Sequence, residues 1–178
     1  PAKNIVIDAK WEVNHYTVEW ITDEHEIRKD TYEFGESINV PQAKEKTGYT
    51  FAFWSENPNG EQTDIPEKMS AKNLRYYAVY ELNTYKLTYY AGKGFFSDGT
   101  NKKVFEYKYG SETEEFTEKP YSEGYTFDGW DIETPVNMPA EDVDIFAVWA
   151  ANQYTVTWVL ETDEAGEIKK YEIEEYYY

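Results

Sequence analysis

Two histidines, several runs of carboxylates and one adjacent pair of loop aromatics are the residues in this sequence whose types could support chemistry. His25 lies in Thr22-Asp23-Glu24-His25-Glu26, a turn-like stretch. A metal centre needs several ligands at fixed spacing. The matching turn at 162–166 has no histidine, so the stretch reads as a solvated turn. His15 stands alone in the same way. The acidic runs are Glu112, Glu114, Glu115 and Glu118, then Glu172, Glu174 and Glu175. A glycosidase must hold two carboxylates across a cleft, whereas runs of acid on a β-rich surface read as a solvated face. A calcium loop of the form Asp-x-Asp-x-Asp-Gly is not found. Gly92-Lys93-Gly94 is too short to cradle a phosphate. A Lys–Asn crosslink would need a buried lysine, and Lys86 lies on a strand, but Thr17 and Thr155 fill the equivalent positions. The chain has no cysteine, so disulfides, zinc–thiolate sites and cysteine nucleophiles are excluded. The expectation is no enzyme, no cofactor and no metal.

Charge narrows the partners. Against 17 Lys plus Arg stand 35 Asp plus Glu, a net charge of −18. Phosphate backbones call for a basic groove, so nucleic acid is not an expected partner, and neither is an anionic lipid surface. No apolar run approaches the ~20 residues of a membrane span, so no direct membrane insertion is expected. The 18 Tyr, 9 Phe and 6 Trp supply far more apolar surface than a disordered acidic chain carries.

The elements that would position any site are organised by repetition. Asn14-His15-Tyr16, Asn83-Thr84-Tyr85 and Asn152-Gln153-Tyr154 recur at a fixed interval, since 83 − 14 and 152 − 83 are both 69. Trp11, Tyr80 and Trp149 keep that interval, as do Met69 and Met138. The middle of the repeat drifts: Gly48-Tyr49-Thr50-Phe51 matches Gly124-Tyr125-Thr126-Phe127 at an offset of 76. Seven residues therefore enter within 91–100 and seven leave between Trp130 and Met138. Both places are rich in Gly, Pro, Asn and Asp, which marks surface loops between fixed elements. Phe95 and Phe96 sit in the inserted stretch and have no counterpart in the first copy. They read either as partner-contact residues or as a cap folded back over the core.

Within a repeat, 16–20, 85–89 and 154–158 alternate apolar and polar residues, the pattern of a strand with one face buried. Further strands are expected at 29–34 and 103–109, at 49–54 and 125–130, and at 75–80 and 144–149. Residues 5–11 would be an orphan copy of the last. Both faces of 144–149 are apolar, which predicts a central strand or one covered on both sides. Short helical turns are expected at 41–46, 70–73 and 139–142. Trp11, Trp54, Trp130 and Trp149 are expected in the core.

The succession Gly124-Tyr125-Thr126-Phe127-Asp128-Gly129-Trp130, Met138-Pro139-Ala140-Glu141-Asp142-Val143, Phe146-Ala147-Val148-Trp149 and Ala151-Asn152-Gln153-Tyr154-Thr155-Val156-Thr157 resembles the Listeria–Bacteroides repeat, the internalin-type B repeat of bacterial surface proteins. The first copy departs from it with Phe53 for Gly129 and Ser70 for Pro139. The resemblance implies a small β-grasp-like module, a tandem array and an extracellular place on the bacterial cell surface. It implies no catalytic residues.

The expected architecture is mainly β, a small α+β, β-grasp-like module of four strands repeated in tandem with a period of 69, with at most short helical turns. Residues 1–13 would be the tail of a preceding repeat, 14–82 and 83–151 full repeats, and 152–178 the start of another. Pro1 is not a natural start, so the chain reads as a segment of something longer. The expected role is a structural stalk or spacer of a secreted surface protein, with adhesion as an added property; the alternative is a glycan- or host-protein-binding module using exposed aromatics. Expected partners are neighbouring repeats, a host protein or glycan, and other copies through head-to-tail contact of 152–178 with 1–13. The short links at 80–85 and 149–154 predict limited pivoting, unlike a Gly/Ser tether.

Overall fold

A computed structural model describes residues 3, 4, 6–162 and 164–177, with backbone alone for 158–162 and 168–173. It divides into two units, residues 1–82 and 83–178.

The first unit contains β1 (His15–Asp23), β2 (Glu26–Glu33), β3 (Tyr49–Ser55) and β4 (Leu74–Leu82) in the order β2-β1-β4-β3. The second contains β5 (Thr84–Tyr90), β6 (Lys102–Lys108), β7 (Tyr125–Trp130) and β8 (Val143–Ala151) in the order β6-β5-β8-β7. It adds a separate hairpin of β9 (Gln153–Thr162) and β10 (Ile168–Tyr177). Each four-stranded sheet is two antiparallel pairs joined at the centre by a parallel ladder. Val18 lies opposite Leu74 in one and Leu87 opposite Val143 in the other. Two outer pairs around a parallel centre is the β-grasp sheet order.

The repeat extends to the groups that close each ladder. Thr17 N–H donates to Asn73 Oδ1, and Lys86 N–H donates to Asp142 Oδ1, at 2.9 and 2.8 Å. Gly35 N–H donates to Met69 O, and Gly110 N–H to Met138 O. The Asn-x-Tyr motif also acquires a role. Side chains two apart on a strand share a face, and Asn83 Nδ2 donates to the Tyr85 hydroxyl as Asn152 Nδ2 does to Tyr154.

The chain crosses from β2 to β3, and from β6 to β7, in irregular backbone. Among the described residues there is no helix, so the α component of the expected α+β module is absent and the stretches 41–46, 70–73 and 139–142 are not helical turns. Their polar groups are spent elsewhere. Pro41 O accepts from Trp54 Nε1 and Lys44 O from the Tyr80 hydroxyl. Asn73 and Asp142 are drawn to β1 and β5 by their side chains, which favours extended entry into β4 and β8.

The two cores are built differently on one frame. In the first, Trp20 lies 5.0 Å from Trp54 and 5.2 Å from Tyr76, centroid to centroid. The second places Tyr89 and Ile145 at the positions of Trp20 and Tyr76. The lost volume is refilled by Phe96 and Phe116, the latter 4.4 Å from Tyr89. Close packing leaves little tolerance for such a deficit.

Two expectations about burial need correction. Trp54 is buried, but Trp130 and Trp149 are only half-buried. Trp11 is 90% exposed, and 6–11 form no strand. A strand of that kind is held by earlier strands of its own repeat, and the described stretch before β1 contains none. Ile5 lies outside the described residues. The strand β8 is central in its sheet, the first of the two readings of its pattern, while its second face stays open, with Phe146 and Val148 46% and 41% exposed.

Candidate functional site

The inserted loop 91–101 replaces the two-residue turn of the first repeat and is the site's scaffold. Gly92 and Gly99 take positive φ angles of 60° and 79° that let it fold back. Ala91 N–H donates to Asn101 O, and Phe96 N–H to Thr100 O. Gly94 passes so close to Trp149 that a Cβ there would fall 2.6 Å from the ring and 2.4 Å from Tyr121 O. Trp149 Nε1 donates to Ala91 O at 2.9 Å, so the loop lies over the indole.

Phe95 and Tyr121 exchange both backbone hydrogen bonds at 2.8 Å. This bridge fixes the alternation of the loop and separates the two adjacent phenylalanines. Phe96 turns inward, 3% exposed, stacked on Trp130 and edge-on to Phe116. It is a core residue and not available to a partner, because the second core needs its volume. Phe95 turns outward, beside exposed Tyr121. Lys93, Phe95, Tyr121, Ser122, Glu123 and Tyr125 line an open groove of about 440 Å³. Lys93 Nζ sits 4.0 Å from the centre of the Tyr125 ring, a cation–π contact. The first repeat reaches the same arrangement from a different segment, with Lys46 Nζ 4.4 Å from Tyr49. The sequence reading missed Tyr121 and Tyr125. The signal was available: an insertion beside a hairpin must pack on something, and 121–125 is the aromatic stretch next to the drift in register.

Charge anchors the far side of the loop. Asp98 accepts from Lys103 Nζ at 2.6 Å and from Thr100 N–H and Oγ1. The Lys103 ammonium foremost, then Thr100, holds its carboxyl well below the usual carboxylate range. Glu118 is lowered by the Ser97 hydroxyl and N–H, and lies 3.6 Å from Lys103. A depressed carboxylate contributes stability that is present above its unfolded pKa and lost as pH falls through the folded value. Asp98→Asn is therefore expected to lower the melting temperature at pH 7. The gap to the parent should close as pH falls below the ordinary Asp value of 3.8. Calorimetry of both proteins between pH 7 and 2 checks this.

The other candidates stay apart. His15 and His25 are exposed, with Glu33 and Asp23 respectively at 3.7 Å. Among the described residues no three His, Asp or Glu side chains gather as a metal set. Two acids of the second run are occupied at the surface, Glu175 accepting from Gln153 and Glu174 from the Tyr176 hydroxyl, and the side chain of Glu172 lies outside the described residues. Lys86 is exposed, not buried as a crosslink would require. No helix among the described residues is long and apolar enough to cross a membrane.

Known proteins share the repeat frame. The Listeria-Bacteroides repeat domain matches residues 16–79 and again 85–148. A protein of Evansella cellulosilytica provisionally named a membrane protein is 29% identical over 177 residues, covering 93% of this chain and 26% of its own length. A second from the same organism, provisionally named a Gly-rich membrane protein, is 27% identical over 169 residues, covering 88% and 19%. The chain thus spans about a quarter or less of each of these relatives.

Proposed function

The chain belongs to the Listeria-Bacteroides repeat domain family, and we propose that it is a non-catalytic spacer, part of the stalk of a secreted protein on the bacterial cell surface. The observation that carries this reading is the duplicated sheet. Two β-grasp sheets of the same order and register follow one another with only Asn83 between the end of β4 and the start of β5. Each has its own aromatic core. A unit that carries a core of its own is what a spacer of adjustable length requires. The family and the names of the two relatives support a place at the cell envelope.

A spacer lengthens in equal steps. Solution scattering of this chain, and of versions with one and two further copies of 83–151 inserted after residue 151, is expected to show the maximum dimension rising by a constant increment. A dimension that grows only as a compact particle's would overturn the spacer reading.

A second reading adds adhesion through the groove at Phe95, Tyr121 and Tyr125, since exposed aromatics beside a cation suit the face of a sugar ring or a protein side chain. Its test is a glycan and host-protein binding screen. Hits that survive Phe95→Ala would remove the groove from that role.

A further inference from the structure

The two repeats differ at the fork where one central strand leaves its parallel neighbour. In the first, the β1–β4 ladder ends with Ile21 opposite Tyr77, and β4 runs on to Leu82. In the second, the β5–β8 ladder ends with Tyr90 opposite Phe146, and β8 runs on to Ala151. There the inserted loop fills the fork. Gly92 and Gly94 lie against Trp149, and Phe95 is bridged to Tyr121 by two backbone hydrogen bonds. An extended piece of chain is thus part of the second repeat's finished structure.

The first repeat has the same frame without that piece. Its hairpin turns through Glu24 and His25 alone. An open cleft of about 830 Å³ remains, and Ile21, Ile27, Lys46, Tyr77, Ala78 and Tyr80 line it. Ala78 and Tyr80 are the counterparts of Ala147 and Trp149, and at the offset of 76 Glu45 stands where Tyr121 does. Among the described residues the Glu45 backbone makes no hydrogen bond. Its N–H and C=O are open to the bridge that Phe95 makes in the second repeat.

We propose that this cleft docks an extended, basic peptide segment of a partner protein, lying in the first repeat as residues 92–96 lie in the second. Backbone pairing with Glu45 sets its direction, antiparallel as the Phe95 bridge is. An apolar side chain of the segment gains cover against Ile21, Ile27 and Tyr77, of which Ile27 is 55% exposed in the free chain. Charge selects the partner. Asp23 and Glu24 line the cleft and Glu45 is itself acidic, whereas Lys46 is turned onto the rings of Tyr49 and Tyr80, at 4.4 and 5.7 Å. The whole chain carries −18, so a basic segment is drawn in, while an acidic one, or a second copy of this chain, is repelled.

The probe is a synthetic peptide of residues 91–101 with Asp98→Lys, which keeps the loop's own sequence around Phe95 and is basic. It is titrated into the whole chain up to about 1 mM, a range suited to a short peptide. The amide signals of Ile21, Glu45 and Ala78 are expected to shift, and those of residues 83–151 to stay in place. Methylating the Phe95 nitrogen of the peptide removes one bond of the bridge and should weaken binding about tenfold. An acidic peptide, with Lys93→Glu and Asp98 kept, should bind about tenfold more weakly than the probe. In the chain, Glu24→Lys lies in an exposed turn and should weaken binding about threefold while the core signals keep their positions. No shift at the highest concentration, equal binding of the methylated or the acidic peptide, or the same shifts on concentrating the chain alone would each overturn the proposal.

Discussion

Trp20→Ala is expected to unfold residues 14–82 and leave residues 83–151 folded. Trp20 is 1% exposed, flanked by Trp54 and Tyr76, and its indole N–H donates to Asp30 at 3.0 Å. Removing a buried Trp costs about 3–5 kcal/mol. The loss also strands the Asp30 carboxylate, although Arg28 still reaches it at 3.1 Å. A module of this size has a total stability on the order of 5 kcal/mol, so one substitution consumes nearly all of it. A proton–nitrogen correlation spectrum should lose the dispersed signals of the first repeat alone. Loss of both sets of signals would mean that the two repeats share one cooperative core.

Phe96→Ala is expected to destabilise residues 83–151 by about 3–5 kcal/mol, while Phe95→Ala changes stability by less than about 0.5 kcal/mol, as surface substitutions do. The two side chains are neighbours in sequence with opposite environments, 3% and 58% exposed. Phe96 fills the space left where Tyr89 and Ile145 stand in for Trp20 and Tyr76. Denaturant titration of each variant measures the difference. Equal losses would contradict the inward–outward assignment of the pair.

The strands were legible because their side chains alternate strictly: Tyr16, Val18 and Trp20 face a core while Thr17 and Glu19 do not, and the period of 69 puts the same alternation at 85–89. Length changes were legible as loops because they fall among Gly, Pro and Asn. The parallel pairing of β1 with β4 was not legible. It joins residues 56 apart, and alternation reports which face is buried but not which strand lies alongside. The short helices were expected from local composition and lost to side-chain hydrogen bonds from distant strands, such as Trp54 to Pro41 O. The opposite burial of Phe95 and Phe96 escaped the sequence for a similar reason. The insertion has no copy in the first repeat, so no periodic partner sets the phase of its alternation; the backbone bridge between Phe95 and Tyr121 does. Trp11 kept the period of Trp149 but not its burial, because a periodic position is a core position only where the rest of the repeat surrounds it.

The most direct test is to make residues 83–151 alone and compare their proton–nitrogen correlation spectrum with that of the whole chain. A spacer of autonomous modules requires that β5 to β8 and the cluster around Tyr89, Phe96 and Phe116 form without neighbours. The expected result is a dispersed spectrum in which the core residues keep their shifts and the domain unfolds in a single transition. A collapsed spectrum, or shifts in the core that differ from those in the whole chain, would contradict the account.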